Sequence, residues 1–152
     1  MRYWLVKADP SDISVDDLRN RPNGTIAWYG IRNYQARNFM RDQMSVGDQI
    51  LFYHSSCKQP GIVGTAEVCK LAYPDSTQFD PNSKYFDLKA TSECPRWFNV
   101  DIRLVSKSQL ISIKELRGIP ALKGMRILQK GNRLSITPVD PAEWKYIIGI
   151  LR

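Results

Sequence analysis

The chain has 152 residues, 43% hydrophobic and 24% charged, with 22 basic against 15 acidic side chains and a formal net charge of +7. These are the values of an ordinary globular chain near the commonest single-domain size, and they exclude collagen-like, disordered and disulfide-scaffold classes. No apolar run approaches the roughly 18 residues of a membrane span, and three cysteines without a C-x-x-C pair, with His54 as the only histidine, suggest neither a disulfide framework nor a zinc site.

A pI near 9.5 favours polyanionic partners. The basic residues are dispersed along the chain, so any basic surface has to be assembled by folding. Residues 1–7 are too short and too quickly charged for a signal peptide, which points to a cytosolic or nuclear protein; the length, without a basic N-terminal extension, favours the bacterial cytoplasm, or the nucleus if the source is eukaryotic.

In chain order, the aromatic and β-branched run Tyr3-Trp4-Leu5-Val6-Lys7 predicts a first strand stopped by Asp9-Pro10, with Lys7 at its end near a pocket edge. Ser14 with Asp17 three positions later, and Ile13 with Leu18 as a hydrophobic staple, predict a short helix that ends in the turn chemistry of Arg21-Pro22-Asn23-Gly24. From Asn33 the period becomes helical, with Ala36, Phe39, Met40 and Met44 as the buried stripe and Asn33, Arg37 and Arg41 as an exposed ridge. The helix start beside Arg32 and Arg37 is suited to an anion.

A hairpin follows, from 50–55 to 61–70 through a five-residue connection. Residues 71–95 mix prolines and aspartates with Tyr73, Phe79, Tyr85 and Phe86 and show no period; such a loop is either functional or held down by its rings. Phe98, Val100, Ile102 and Leu104 alternate as the inward face of a strand, and Ser112 with Glu115 forms a second capping box. A brief strand at 133–136 precedes the helix start Asp140-Pro141-Ala142-Glu143, whose stripe is Trp144, Ile147, Ile148 and Leu151. With no internal repeat and no linker, residues 1–152 read as one α+β domain, a small mixed barrel of five or six strands with short helices.

Enzyme signatures are missing: there is no G-x-G-x-x-G, P-loop, H-E-x-x-H or G-x-S-x-G, and His54 and Ser55 are strand neighbours that point to opposite faces. Binding features are better represented. Trp28, Tyr34, Tyr53 and Trp97 offer flat faces, Asn33 offers donor and acceptor, and His54 and Ser55 add polar contacts, while Lys7, Arg32, Arg37 and Arg41 supply charge for phosphates. Each has a plainer reading in core packing or helix capping, and it is their grouping around one helix start that points to a site.

The strings Trp28-Tyr29-Gly30-Ile31-Arg32-Asn33-Tyr34-Gln35-Ala36-Arg37-Asn38 and Phe52-Tyr53-His54-Ser55, with Gly61-Ile62-Val63-Gly64, Pro95-Arg96-Trp97 and Glu143-Trp144, resemble the EVE domain of the PUA-like superfamily and the thymocyte nuclear protein 1 family, in order and over nearly the whole chain. The resemblance implies a pseudo-barrel with a concave pocket that reads a modified nucleobase, particularly a modified cytosine in DNA, as the related YTH domains read methylated adenine in RNA. It implies Trp28, Asn33, His54 and Ser55 near that pocket, with Trp97 and Lys7 as weaker transfers. Tyr29 stands where the family commonly has Asp, and Asp9 where Glu usually precedes the proline, so Tyr29 is the position expected to modulate ligand preference. The expectation is a non-catalytic nucleic-acid-binding module without cofactor or metal and with no membrane partner, modified DNA being favoured and RNA possible. The alternatives are a PUA-like RNA-binding module indifferent to modification and a small-molecule or nucleotide binder.

Overall fold

The computed structural model describes residues 1–152. Six strands form one mixed sheet: β1 (Tyr3–Ala8), β2 (Thr25–Ala27), β3 (Gln49–His54), β4 (Gly61–Pro74), β5 (Phe98–Ser112) and β6 (Ile136–Val139), in the order β2-β5-β4-β3-β1-β6. Only β1 and β3 pair in parallel, Tyr3 opposite Gln49 through Ala8 opposite His54; the other neighbours are antiparallel. The helices are α1 (Val15–Arg19), α2 (Tyr34–Asn38), α3 (Ile113–Arg117) and α4 (Pro141–Ile150).

The sheet does not close into the expected barrel, because β2 and β6 remain its two edges. Both edges are blunted locally. The Thr25 amide is taken by the Pro22 carbonyl, the Ala27 carbonyl accepts from Tyr29 at 3.0 Å, and Pro138 removes a donor from β6. Register shifts in the β3/β4 and β4/β5 ladders mark bulges, which bend long strands and raise their twist.

Strand alternation divides the apolar residues into two cores. Trp4, Val6, Ile50 and Phe52 face the first, with Leu18, Trp28, Ile31, Met40, Val100 and Ile102. Leu5, Leu51, Tyr53 and Ile62 face the second, covered by Leu116, Leu122, Met125 and Ile147. Both capping boxes appear, Ser14 with Asp17 and Ser112 with Glu115, and a third joins Asp140 to Glu143.

After Asn38 the helix widens into a π turn at Phe39–Gln43, in which the Met44 amide reaches back to the Phe39 carbonyl at 2.9 Å, and the predicted stripe Ala36, Phe39, Met40, Met44 is buried as a unit. Five elements differ from the sequence pattern. β2 lies where no strand is predicted, and β4 runs on to Pro74, into the stretch read as a loop. β5 continues past Leu104 to Ser112, because bulges keep it paired with β4. The last strand lies at 136–139 rather than 133–136. On α4, Ile148 turns outward while Ile147 is fully buried and Trp144 stacks on Tyr3 at 4.8 Å.

Candidate functional site

A cleft of about 180 Å³ opens where the end of β1 faces the segment after β2, room for about six waters at roughly 30 Å³ each. Lys7, Ala8 and Asp9 form one side, with Asp12 and Ile13 from the turn before α1. Ile26 to Ile31 form the other, Arg21 sits on the rim, and Tyr85 arrives from the long loop. Trp28 is buried in the floor with its ring edge-on to Phe52 at 5.8 Å, whereas Tyr29 is half exposed and edge-on to Tyr85 at 6.0 Å.

Gly30 and Asp75 fix this geometry. Gly30 adopts φ +85°, and its amide donates to Asp75 Oδ2 at 2.8 Å. A Cβ there would stand 2.7 Å from Tyr85 Cζ, so only glycine lets the ring lie against the backbone. Burial pushes the Asp75 carboxyl up, but hydrogen bonds from the Gly30 amide, Thr77 and Arg32 outweigh it and hold the group below the usual carboxylate range.

Arg32 completes the link. Its Nε and one terminal nitrogen donate to the Tyr85 carbonyl at 3.1 and 2.8 Å, and that nitrogen also reaches Thr77 Oγ1 at 3.1 Å. The other terminal nitrogen donates to the Ile31 carbonyl at 3.0 Å and to Asp75 Oδ2 at 3.1 Å. All five guanidinium N–H groups thus have protein acceptors, and the group lies between the Tyr85 and Trp97 rings at 5.4 and 5.2 Å. It anchors the loop.

Beside the cleft lies a second aromatic array. Tyr34 stacks on Trp97 at 4.8 Å and 23°, the Arg37 guanidinium covers Tyr34 at 4.7 Å, and Trp97 Nε1 donates to Asp87 at 2.7 Å. Arg37 also donates to the Arg96 carbonyl at 2.9 Å and to Asn38 Oδ1. Gln78 closes the loop base, its Oε1 accepting from the Arg96 and Trp97 amides at 2.9 Å each.

The remaining expected residues lie elsewhere. Asn33 is exposed and caps α2, its Oδ1 accepting the Ala36 amide at 3.0 Å, and Arg41 pairs with its neighbour Asp42 at 2.8 Å. Tyr53 points into the second core, across the sheet from Trp28, because adjacent strand positions alternate and Phe52 takes the first core. His54 faces a different hollow with Cys57 and Leu110, and its Nε2 accepts the Val15 amide at 3.0 Å. Ser55, just past β3, holds the end of β1 through its amide, which donates to the Ala8 carbonyl at 2.9 Å.

The structure therefore brings Lys7, Trp28 and Tyr29 together at the cleft, sets Tyr34, Trp97 and Arg37 beside it, turns Tyr53 and His54 elsewhere, and leaves Ser55 out of the cleft lining though bonded to Ala8, which lines it. The cations without hydrogen-bond or ion-pair partners at the cleft are Lys7, whose ammonium burial makes easier to deprotonate, and Arg21. The sequence showed Tyr85 only as one ring of the long loop and Arg21 only as part of a turn, and nothing in it pointed to Asp75. An Asp-Ser-Thr turn signal preceded Tyr85, but nothing local linked it to Gly30.

The family model of the EVE domain matches residues 2–150. The chain belongs to the EVE domain family. This EVE domain is 37% identical to human thymocyte nuclear protein 1 and 38% to the chicken protein, over 97% of the chain and 73% and 68% of those proteins. Its fold matches the structure of human THYN1 protein in complex with 5-methylcytosine-containing DNA at TM-score 0.92 and 36% identity, covering 98% and 96% of the two chains. A protein from Pseudomonas syringae matches at TM-score 0.91 and 43% identity over 97% of each chain. These likenesses place the open six-stranded sheet among the PUA-like folds. No helix is long and apolar enough to cross a membrane.

Proposed function

We propose that this EVE domain is a non-catalytic nucleic-acid-binding module that holds one modified nucleobase, a modified cytosine of DNA, in the cleft between Tyr85 and the Lys7–Asp9 wall. The observation that carries the reading is the cleft itself, which gathers the rings of Trp28, Tyr29 and Tyr85, two uncommitted cations and two carboxylates, Asp9 and Asp12. Rings supply stacking at about 1–3 kcal/mol per base, which offsets the few kcal/mol needed to unstack it. Cytosine presents an exocyclic amino donor for which a carboxylate is the matching acceptor. Asp9 binds Ser11 through Oδ1 alone, leaving Oδ2 without a partner. The 5-methylcytosine DNA bound by the human relative supports the same ligand class here.

The test is fluorescence anisotropy with matched oligonucleotides: duplex DNA with and without one 5-methylcytosine, the single strands, and RNA of the same sequence. The modified DNA should bind most tightly, and Tyr29→Ala and Lys7→Gln should weaken it more than the unmodified DNA. Equal affinity of the wild type for modified and unmodified DNA would overturn the base reading, and tighter binding of RNA regardless of modification would favour the indifferent PUA-like module.

A further inference from the structure

The chain's excess charge is concentrated in one segment. Between residues 113 and 135 there are six cations, Lys114, Arg117, Lys123, Arg126, Lys130 and Arg133, and one acid, Glu115, a net +5 of the chain's +7. Elsewhere sixteen cations are nearly balanced by fourteen acids, and six of them form ion pairs: Arg19 and Lys107 with Asp16, Arg32 with Asp75, Arg41 with Asp42, Arg96 with Asp87 and Arg103 with Glu67. None of the six makes an ion pair or donates a side-chain hydrogen bond, while Glu115 is held in its capping box by the Ser112 amide and hydroxyl.

All six are exposed, whereas Leu116, Leu122, Met125 and Ile127 of the same segment fill the second core. The apolar residues thus fix which side faces inward, and the cations cover the outside. The end of the segment is tied to a wall of the cleft: the Ser135 carbonyl accepts the amide of Lys7, a cleft residue, at 2.8 Å. A crowd of like charges repels itself and weakens the compact state unless an anion meets it.

We infer that the outer surface of residues 113–135 is a phosphate-backbone surface, carrying the strand that flanks the base held in the cleft. The inference rests on the proposed function for the identity of the polyanion. The cleft supplies base readout; the segment supplies affinity that is indifferent to sequence and sensitive to salt.

The experiment uses the full chain and a triple variant, Lys123→Gln, Arg126→Gln, Lys130→Gln, titrated with duplex DNA with and without 5-methylcytosine between about 50 and 200 mM salt. The slope of log affinity against log salt should become shallower by about 0.9 for each phosphate contact removed, with the modified-to-unmodified ratio retained and the melting temperature of the free variant no lower than that of the wild type. A slope unchanged from the wild type overturns the inference and leaves the base reading standing. A wild type without modification preference, but with a slope that falls in the variant, supports the surface and removes the base reading. A wild type that binds no DNA overturns both.

Discussion

Gly30 lies so close to Tyr85 that the two residues behave as one surface: at φ +85° the glycine backbone meets the phenol ring where a Cβ would come within 2.7 Å. This contact brings a loop residue more than fifty positions away onto the cleft. Gly30→Ala should therefore combine a left-handed backbone penalty of about 1–3 kcal/mol with displacement of Tyr85. Urea denaturation should show a loss in that range, and nucleic-acid affinity should fall with it; a variant as stable and as tightly binding as the wild type would contradict the role given to this contact.

Tyr85→Ala separates ring from backbone. The Arg32 contacts use the Tyr85 carbonyl, not its side chain, so the loop anchor survives the substitution. Affinity for the modified oligonucleotide should drop by about 1–3 kcal/mol, the range for one lost stacking partner, with folding stability altered much less. Anisotropy and thermal melting together check the separation.

Arg32→Met removes the counter-ion of a fully buried carboxylate. Asp75 keeps the Gly30 and Thr77 donors, and the Arg32 side chain is 22% exposed, so the cost belongs at the lower end of the range for a broken buried pair, about 3 kcal/mol. Because the folded-state pKa of Asp75 is depressed, its contribution is present above the unfolded carboxylate pKa and lost as pH falls through the folded value. The acid limb of a stability-pH curve should be flatter in Arg32→Met than in the wild type.

His54 predicts a second pH effect. Burial pulls its pKa below the usual imidazole value, against the opposing pull of Asp16 and Asp17, while Lys107 lowers it further. Only the neutral ring can accept the Val15 amide. The folded pKa lies below the unfolded one, so the unfolded state protonates first as pH falls; stability should be complete above about 6.5, the unfolded imidazole value, and decline below it. His54→Gln keeps an acceptor without titrating, and urea midpoints from pH 7.5 to 5 should show a weaker slope for it.

Much of the fold could be read from local patterns, because caps and alternation are local physics. Ser14 with Asp17, Ser112 with Glu115 and the stripe Ala36, Phe39, Met40, Met44 needed no tertiary information. The cleft was legible only in its first half. Trp28, Tyr29 and Lys7 lie on or beside regular elements, whereas Tyr85 sits in a stretch without period and is placed by Asp75 and Arg32, a contact across forty-three residues. Cation assignment was the least legible part: Arg32, Arg37 and Arg41 share a basic motif, yet their acceptors come from a loop carbonyl, a strand entry and a neighbouring carboxylate. Sequence proximity could not separate charge used inside the fold from charge left outside it.

The double clamp on the long loop bears on how such a chain can vary. Arg32 and Asp75 hold its beginning and Gln78 holds its end at Arg96 and Trp97, so the cleft wall is set by two fixed points. The stretch between Asp87 and Cys94 has no stake in that wall: from Leu88 on it is mostly exposed and bonded chiefly to itself. Residues added or removed there change the length of the protein without changing what the cleft sees, which makes this stretch the natural place for lineages to diverge and for a tag or fluorophore to be inserted.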